Sequence, residues 1–344
     1  MASRILVTGG TGYIGSHTVV ELIEAGYEPV IVDNLYNSQL SVLDGIREIT
    51  GKQPAFENFD LCDLEKLREF CRKYNDLKAI IHFAAYKAVG ESVEKPLEYY
   101  RNNLVSLMNL LHVMREFGIP NLVFSSSCTV YGQPDKLPVT EESAIKPAGS
   151  PYGNTKQISE EIIRDTISAT PGLQSISLRY FNPIGAHPSA LIGELPLGVP
   201  LNLVPYITQT VIGLRPELRV FGNDYDTPDG TGIRDYIYVA DLARAHVSSI
   251  NRLLEKKNRN PFEVFNLGTG KGLSVMEVVR TFEKATGEKV NYRIYPRRPG
   301  DISQVYADTS LANSELGWKA DTPLEDTLRS AWKWEKYIRE TQKK

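Results

Sequence analysis

The chain has 344 residues, enough to bury a large core and usually to form more than one folding unit. Apolar residues make up 42% of it and charged residues 24%, with a formal net charge of −3. This balance, without a basic tail or run, argues against binding to nucleic acid. The sequence has no apolar run of about 18 residues. It also has no secretory signal before the first predicted strand, so we expect neither a membrane span nor export.

The cysteines and histidines predict neither disulfides nor a metal site. Cys62, Cys71 and Cys128 are too few and too scattered for a disulfide framework, which favours a cytoplasmic protein with free thiols. The five histidines form no close ligand pairs. We therefore expect no bound metal.

The first half of the chain alternates short β-rich runs with longer helical patterns, which is typical of βαβ units around a parallel sheet. Gly26 directly follows the first helical pattern and is a typical helix stop. The predicted strands cover residues 4–8, 29–33, 55–58, 79–83, 121–125 and 175–179. The predicted helices cover residues 13–25, 64–74, 97–117 and 152–170.

The second half of the chain differs in composition from the first. Residues 182–235 are rich in proline and glycine, as in a region shaped around a ligand. Strands are predicted at 236–239 and 262–267 and helices at 241–254 and 324–341. We therefore predict an α/β fold in which a Rossmann-like, doubly wound parallel sheet is joined to a smaller mixed α/β substrate domain. The sheet domain is expected to comprise residues 1–181 plus about 235–268, and the substrate domain about 182–234 and 269–344.

A glycine-rich loop, T-G-G-T-G-Y-I-G, follows the first predicted strand and opens the first helix. Gly9, Gly12 and Gly15 fit the needs of a dinucleotide loop, which are a tight turn, close approach of a pyrophosphate and close helix–strand packing. The helix N-terminus adds free N–H groups and a partial positive charge. Glycines are also common in ordinary turns, so the loop needs support from its context.

Asp33 supplies that context. It ends the second predicted strand, 18 residues after Gly15, where an acid can accept hydrogen bonds from the adenosine ribose. No arginine or lysine occurs within residues 34–37 to pair with a 2′-phosphate, so NAD is favoured over NADP. The alternative is that Asp33 only caps a turn.

Tyr152 and Lys156 stand four residues apart in S-P-Y-G-N-T-K, which places them one turn apart on a helix. A phenol titrates near pKa ~10, and a nearby ammonium would help it act as a base at neutral pH. Such pairs are common on ordinary helices. However, three serines at 125–127 leave the fifth predicted strand at the edge where α/β sheets bind ligands. A hydroxyl there can share a proton with the base and a substrate oxygen, although a serine-rich turn is the plain alternative.

These motifs together resemble the extended short-chain dehydrogenase/reductases. Further stretches are similar to the UDP-hexose 4-epimerases of that group, namely H-F-A-A-Y-K-A-V-G-E-S, S-S-S-C-T-V-Y-G, L-R-Y-F-N-P-I-G-A-H, G-T-G-I-R-D-Y-I-Y-V-A-D-L-A and R-R-P-G-D. The resemblance runs from Arg4 to the C-terminal helix with its tryptophans. It implies an NAD-dependent isomerase that interconverts UDP-galactose and UDP-glucose through a transient 4-keto sugar. The NAD is expected to be tightly bound and regenerated in each turnover.

The resemblance also implies a role for each matching residue. Tyr152 would take the proton from the sugar 4-hydroxyl, Lys156 would lower the tyrosine pKa and bind the nicotinamide ribose, and Ser127 would hydrogen-bond the reacting oxygen. The implied cofactor positions are Gly9, Gly12, Tyr13, Ile14, Gly15, Asp33, Asn34, Asp60, Leu61, Phe83, Ala84, Lys87, Asn102, Tyr152, Lys156 and Tyr180. The implied UDP-sugar positions are Lys87, Ser127, Tyr152, Asn182, Asn202, Leu203, Arg219, Phe221, Arg234, Arg298, Asp301 and Val305.

Val305 is predicted to determine how large a sugar the enzyme accepts. In the resembled family, the residue seven places after the arginine of R-P-G-D forms a wall beside the sugar. A tyrosine there restricts the enzyme to plain hexoses, and a smaller residue leaves room for an N-acetyl group. Counting from Arg298 gives Val305, so we expect UDP-N-acetylglucosamine and UDP-N-acetylgalactosamine also to interconvert. Tyr306 is adjacent, and a register error of one residue would reverse the prediction.

Three alternatives remain at this stage. A sugar-nucleotide 4,6-dehydratase would carry an Asp-Glu pair just after the threonine of the serine strand, whereas this chain has Cys128-Thr129-Val130 there. A UDP-glucuronate or UDP-pentose 4-epimerase would use the same chemistry and is harder to exclude. A non-catalytic NAD-binding regulator could dispense with the tyrosine or the lysine, both of which are present.

The resemblance further implies a homodimer. Helices near 97–117 and 152–170 would pack against their symmetry mates as a four-helix bundle, and two-fold dimers are the commonest oligomers. A UDP-sugar is the expected small-molecule partner, and the cytoplasm is the expected location.

Overall fold

The structure is a computed structural model that describes residues 2–298 and 301–341. Its strands are β1 (Arg4–Thr8), β2 (Glu28–Asp33), β3 (Ala55–Asn58), β4 (Leu77–His82), β5 (Asn121–Ser127), β6 (Gln174–Tyr180), β7 (Asn182–Ile184), β8 (Leu218–Phe221), β9 (Ile233–Tyr238), β10 (Phe262–Leu267), β11 (Gly272–Ser274), β12 (Tyr292–Tyr295) and β13 (Gln304–Val305). Its helices are α1 (Tyr13–Glu24), α2 (Ser41–Thr50), α3 (Leu64–Lys73), α4 (Val89–Glu94), α5 (Pro96–Phe117), α6 (Pro151–Ser168), α7 (Leu203–Val211), α8 (Val239–Leu254), α9 (Val275–Thr286), α10 (Ser310–Glu315) and α11 (Leu324–Thr341), with a 3₁₀ turn at Cys128–Tyr131.

The larger sheet contains seven strands of the described chain in the order β10-β6-β5-β4-β1-β2-β3, and all its neighbours pair in parallel. Its central strands are buried on both faces, as the continuous apolar runs of β1 and β4 require. The chain winds outward from β1 through β2 and β3, and then returns to place β4 on the other side of β1. This order reverses at β1, so the predicted doubly wound sheet is confirmed and its switch point lies at the end of β1.

Two apolar layers cover the larger sheet. Side chains of α1, α2 and α8, such as Leu22, Ile46 and Leu242, pack on one face. Side chains of α3, α5 and α6, such as Leu110 and Ile163, pack on the other. The carboxyl ends of the parallel strands therefore meet at one exposed edge between these layers, which is where such sheets bind ligands.

The smaller sheet lies in the second half of the chain. Strands β11, β9 and β13 form it, β7 pairs with β9, and β8 pairs separately with β12. Helices α7, α9 and α11 bury an apolar cluster against these strands, including Phe282, Leu328 and Trp332. A capping box between Ser274 and Glu277 fixes the start of α9.

The structure departs from the predicted elements at several points. Residues 233–238 belong to the smaller sheet, so the return of the chain to the larger sheet begins with α8 and β10. Helices α2 and α4 were not predicted, because glycines interrupt both and α4 has only six residues. Strand β5 continues to Ser127, two residues beyond the predicted end. The division into two domains stays a prediction.

The C-terminal helix α11 reaches back to the loop between β7 and α7. The indole N–H of Trp334 donates to the backbone oxygen of Glu194 at 2.8 Å. A Cβ on the neighbouring Gly193 would lie 2.6 Å from the same indole ring, so only glycine fits there. The end of the chain therefore fixes a loop that precedes α7.

Candidate active site

The glycine loop forms a close-packed turn between β1 and α1. Gly9 has a φ of +70°, and a Cβ there would lie 2.8 Å from the backbone nitrogen of Ala84. A Cβ on Gly15 would lie 2.2 Å from the backbone oxygen of Gly9. Gly12 is the N-cap of α1 and provides no side chain to cap it. The first N–H groups of α1 therefore face a narrow, side-chain-free cradle of the kind that an anionic pyrophosphate fits.

Asp33 ties this loop to the turn after β2. Its carboxylate accepts hydrogen bonds from the backbone nitrogens of Thr11 at 3.2 Å and Leu35 at 2.9 Å. It also accepts one from the Ser38 hydroxyl at 3.2 Å. The acid thus caps the turn, as the plain alternative held, and it also lies beside the glycine loop. A carboxylate in this place suits the ribose hydroxyls of a dinucleotide.

A pocket of about 410 Å³ lies between the turns after β2 and β3, the loop after β4 and the start of α5. Asp60 and Asn102, two of the predicted cofactor residues, line it together with Tyr36 and Tyr86. The rings of the two tyrosines are in contact, with centroids 4.7 Å apart and planes inclined by 33°. Asn34 donates to the Asp60 carboxylate at 3.3 Å, which joins the turn after β2 to the turn after β3. These residues offer hydrogen-bonding groups and aromatic faces for a nucleoside.

Ser127, Tyr152 and Lys156 converge at the carboxyl end of β5. Ser150 caps α6 by accepting from the backbone nitrogen of Gly153 at 3.2 Å, so the helix starts immediately before Tyr152. The Lys156 ammonium donates to the backbone oxygen of Ser125 at 2.6 Å and lies 5.9 Å from the centre of the Tyr152 ring. The structure therefore brings the three predicted catalytic residues together.

Burial controls the protonation of this group. It raises the pKa of Tyr152 well above its ordinary value, and hydrogen bonding to Ser127 opposes that increase. It lowers the pKa of Lys156 to about 8, against the favourable charge of Glu160. Burial also raises the pKa of Tyr180 to about 12, and Tyr180 shares a short hydrogen bond with the Ser125 hydroxyl. A positive charge brought close to Tyr152 would therefore have a large effect on its ionisation.

The remaining predicted cofactor residues line the same edge. The backbone nitrogens of Phe83 and Ala84 donate to Thr8, at 3.1 Å to its carbonyl and 3.4 Å to its hydroxyl. Leu61 is buried, while Tyr13 and Ile14 form the first residues of α1. Tyr13 donates through its hydroxyl to the backbone oxygen of Gly185, which joins α1 to the segment after β7.

Two arginines and an acid form a charged cluster on the second half of the chain. Arg298 donates to both oxygens of Asp301, at 2.8 Å and 3.2 Å. Arg234 on β9 approaches the same carboxylate at 4.0 Å. The Arg298 guanidinium also lies 5.0 Å from the Phe221 ring. Forked cations beside an aromatic ring are the groups that a nucleoside diphosphate needs.

Arg219 and Phe221 occupy the same face of β8, because side chains two residues apart in a strand point the same way. Arg219 lies over the Tyr295 ring at 5.3 Å. Asn182 lies on β7 beside β9, and Leu203 is the first residue of α7. Within residues 2–298 and 301–341, no side-chain hydrogen bond joins either of these two to the arginine cluster. Pro299 and Gly300 of the R-R-P-G-D motif lie outside the described residues.

Val305 lies between the arginine cluster and Ser127. It pairs with Arg234 in the small sheet and packs in an apolar cluster that includes Cys128, the residue after Ser127. Tyr306 points the other way, since a Cβ on Gly272 would lie 2.9 Å from its ring. Of the two residues, Val305 is therefore the one on the Cys128 side, and its role beside the sugar stays a prediction.

Glu194, which no sequence motif indicated, links a predicted cofactor residue with a predicted substrate residue. A single carboxylate oxygen of Glu194 lies 3.3 Å from the Lys87 ammonium and 2.5 Å from the side-chain nitrogen of Asn202. Asn202 is the N-cap residue of α7. A lone acid in a proline-rich loop has no recognisable spacing, so no sequence signal could have predicted this contact.

Asn103 was also missed. Its side-chain nitrogen donates to the backbone oxygen of Tyr86 at 3.0 Å and to the Thr155 hydroxyl at 3.1 Å, and its oxygen accepts from Asn102 at 3.0 Å. These bonds join α5, α6 and the loop after β4. A buried asparagine at a core position of the apolar helix α5 is the pattern that could have revealed it.

Residues 2–298 and 301–341 contain no group of three or more histidines, cysteines or acids placed to hold a metal ion. No helix in that part of the chain is long and apolar enough to cross a membrane.

The comparisons with known proteins agree on one group of enzymes. The family model described as GDP-mannose 4,6 dehydratase matches residues 6–331. The UDP-glucose 4-epimerase of Dictyostelium discoideum is 51% identical over 96% of this chain and 95% of its own length. The human UDP-glucose 4-epimerase is 49% identical over 98% and 97%.

Solved structures give the same result. A UDP-glucose 4-epimerase from Stenotrophomonas maltophila, with bound NAD and formylated UDP-arabinopyranose, matches with a TM-score of 0.95 and 47% identity over 98% of this chain and 99% of that one. The enzyme from Bifidobacterium longum, in complex with NAD+ and UDP, has a TM-score of 0.93, 47% identity and the same coverage. The fold and site define a nucleotide-sugar enzyme built on a dinucleotide-binding sheet. The chain belongs to the UDP-glucose 4-epimerase family, within the wider family that the matching model describes.

Proposed function

We propose that this chain is an NAD-dependent isomerase that interconverts UDP-galactose and UDP-glucose by inverting C4 of the sugar. The observation that carries the proposal is the convergence of Ser127, Tyr152 and Lys156 at the carboxyl edge of a dinucleotide-type sheet. The charged cluster of Arg234 and Arg298 supplies the second half of such a site. Relatives and structural neighbours named UDP-glucose 4-epimerase, over nearly the whole chain, support it.

The cradle around the glycine loop fits NAD. Gly9 and Gly15 leave no room for a Cβ where a pyrophosphate would approach the start of α1, and Asp33 lies within reach of the adenosine ribose. Asp60 and Asn102 would border the adenine side, and Lys156 and Tyr180 the nicotinamide side. When bound, NAD supplies the oxidation and the reduction, by accepting a hydride from C4 of the sugar and returning it to the opposite face. Holding NAD tightly would let one molecule serve many turnovers.

The residues of the chain handle the proton. Tyr152 would take it from the 4-hydroxyl of the sugar and later return it, while Ser127 hydrogen-bonds the same oxygen. Lys156 is held toward Tyr152 by the carbonyl of Ser125 and would stabilise the phenolate by its charge. The UDP-sugar would be anchored by its diphosphate on Arg234 and Arg298, with Phe221 beside the uracil.

A dehydratase is the function that the description of the matching family model names. It needs an acid and a base next to the catalytic serine to remove water from the sugar. In this chain Cys128-Thr129-Val130 occupies that place in the 3₁₀ turn, and burial raises the pKa of the Cys128 thiol to about 12. The absence of an acidic pair after Ser127 therefore favours the epimerase.

The direct test uses purified protein with UDP-galactose and no added cofactor, with the product resolved by chromatography. We expect UDP-glucose to form, because NAD would remain bound through purification. Tyr152→Phe should lower the rate by several orders of magnitude and retain NAD. Tyr74→Phe, which removes a hydroxyl that donates to Glu57 at 3.0 Å, is the matched control and should keep full activity. No conversion by the wild-type protein, even with NAD supplied, would refute the proposal.

We propose further that the enzyme accepts UDP-N-acetylglucosamine and UDP-N-acetylgalactosamine. Val305 is a small side chain whose apolar neighbours include Cys128, beside the catalytic serine, and Tyr306 faces away. Enlarging it should fill the space that an N-acetyl group would use. Val305→Tyr should therefore lose activity on the N-acetylated pair and keep it on the plain pair. Equal activity of the variant on both pairs would contradict this role of Val305.

We also propose a homodimer. On α5, Leu97, Leu104 and Met108 share one helix face, and Leu97 is 77% exposed and Met108 45%. Val93 on α4 extends this apolar surface and is 63% exposed. Packing of α5 and α6 against a second copy would cover it. Sedimentation equilibrium should give twice the chain mass for the wild-type protein and a monomer for Leu97→Glu/Met108→Glu.

A cytoplasmic location is proposed on the state of the thiols. Cys62, Cys71 and Cys128 are all free in the structure, as expected in a reducing compartment. Fractionation of the source cells with antibody detection would test the location.

A further inference from the structure

A buried ion pair lies directly behind the proposed catalytic residues. Glu160 and Arg179 are each only 4% exposed. The guanidinium donates to both carboxylate oxygens, at 3.0 Å and 2.5 Å, in the forked geometry that fixes both partners. Neither residue belongs to the cofactor or substrate sets inferred above.

The pair joins the three elements that carry the reaction. Glu160 lies one turn after Lys156 on α6, and Arg179 precedes Tyr180 on β6. The Ser126 hydroxyl on β5 donates to Glu160 at 2.5 Å. Ser126 is the register partner of Arg179, so both side chains lie on the face of the sheet that α6 covers.

Because of the geometry of a strand, this contact also orients the side chains on the opposite face of the sheet. Successive side chains of a strand point to opposite faces of the sheet. Fixing Ser126 on one face therefore fixes the directions of its two neighbours, Ser125 and Ser127, on the opposite face. Ser125 in turn supplies the carbonyl that holds Lys156 and the hydroxyl that bonds Tyr180. One buried carboxylate therefore sets the relative positions of β5, β6 and α6.

A second series of hydrogen bonds starts from Arg179 and fixes the segment that follows β5. Arg179 donates to the Tyr131 hydroxyl at 3.0 Å, and that hydroxyl donates to Asn266 at 2.6 Å. Tyr131 is the last residue of the 3₁₀ turn that begins just after Ser127. The backbone on both sides of Ser127 is therefore held by groups bonded to Arg179 or Glu160.

Stability alone does not account for such a pair. Removing two charges from water is costly, and apolar residues of similar volume commonly replace a buried ion pair with little loss or even a gain in stability. What apolar side chains cannot reproduce is the directional bond from Ser126 and the forked link between α6 and β6.

We propose that Glu160 and Arg179 are positioning residues for the epimerase reaction, which hold Ser127 and Lys156 in register with Tyr152. The inference rests on the proposed function, because it assigns these two residues to the same site. They act through Ser126, Ser125 and Tyr131, without touching substrate or cofactor.

The test replaces the pair with apolar residues, as Glu160→Leu/Arg179→Met. We expect kcat with UDP-galactose to fall at least tenfold, because displacement of reacting groups by about 1 Å can cost ~10²-fold in rate. KM should stay within threefold, since the diphosphate anchors Arg234 and Arg298 are untouched. Bound NAD and the thermal unfolding midpoint should stay close to those of the wild-type protein.

The chain offers a matched control. Arg252 and Glu263 form a second buried pair of the same geometry, with bonds of 2.7 Å and 2.9 Å. Glu263 lies near the amino end of β10, four residues or about 13 Å along the strand from Leu267 at the catalytic edge. Arg252→Met/Glu263→Leu should therefore change kcat by less than twofold.

Each outcome is decisive. A kcat of the Glu160/Arg179 variant within twofold of wild type would overturn the inference, as would an equal fall of kcat in the Arg252/Glu263 variant. If the double variant does not fold, Glu160→Gln keeps the volume and removes the charge, and the same separation of kcat from KM is expected of it. An inactive wild-type protein would instead refute the proposed function.

Discussion

The charge of Lys156 gives the most quantitative prediction. Its ammonium lies 5.9 Å from the centre of the Tyr152 ring. At an effective dielectric constant of ~20, two unit charges at that separation interact by about 2.8 kcal/mol. Such an interaction lowers the tyrosine pKa by about two units, since one unit corresponds to ~1.4 kcal/mol. Lys156→Met should therefore reduce the phenolate fraction, and with it kcat, about 100-fold near pH 7.5.

The assay is kcat for UDP-galactose between pH 6 and 10, on protein whose NAD content has been measured. The rate of the wild-type enzyme should rise with pH as Tyr152 loses its proton, and the rising limb of the Lys156→Met variant should lie about two pH units higher. Lys73→Met, on the surface at the end of α3, is the control and should leave the profile unchanged. The electrostatic role of Lys156 would be refuted if the rising limb of the pH profile of Lys156→Met were unshifted and its kcat fell by less than threefold.

Other substitutions test the parts of the site separately. Gly15→Ala would place a Cβ 2.2 Å from the Gly9 oxygen, so the purified protein should lose most of its NAD, measured after acid release, whereas Gly90→Ala, in open space, should not. Arg298→Ala should weaken binding of UDP by roughly 10- to 100-fold in calorimetry, as expected for a charge-assisted bond of about 1.5–3 kcal/mol. Burial lowers the pKa of His246 to about 4, so the unfolded chain binds a proton that the folded one does not between pH 4 and about 6.5. Stability should therefore fall as pH drops through that window, and His246→Leu should reduce the slope by about 1.4 kcal/mol per pH unit in urea titrations. An unchanged slope would mean that His246 is not the titrating group.

Local patterns predicted the part of the site that lies on regular elements. The glycine loop, Asp33 and the Tyr152–Lys156 pair each occupy a fixed place relative to a strand end or a helix start, and the structure shows those places. Membership of the epimerase family, recognised from the order of the motifs, is confirmed by the relatives and by the solved structures. The roles given to individual residues stay predictions.

Local sequence patterns could not predict the contacts between residues far apart in the sequence. Glu194 meets Lys87 across 107 residues of sequence, and Asn103 meets Thr155 across 52. No local spacing encodes such pairs. Arg179 carried a weaker signal, since a charged residue within a buried strand such as β6 needs a partner. The first half of β9 was not predicted, because Arg234 and Asp235 interrupt the apolar pattern that indicated a strand at residues 236–239.

The contact between Trp334 and the loop of Glu194 has a consequence for the order of assembly. The strands and helices of the larger sheet are mostly complete by Tyr180, so a growing chain can form the glycine cradle early. The loop before α7 gains its contact with Trp334 only when α11, the last helix of the described chain, has been made. Newly synthesised protein should thus become able to hold a dinucleotide before it can hold a sugar nucleotide, and loss of the last helix should spare the first ability while removing the second.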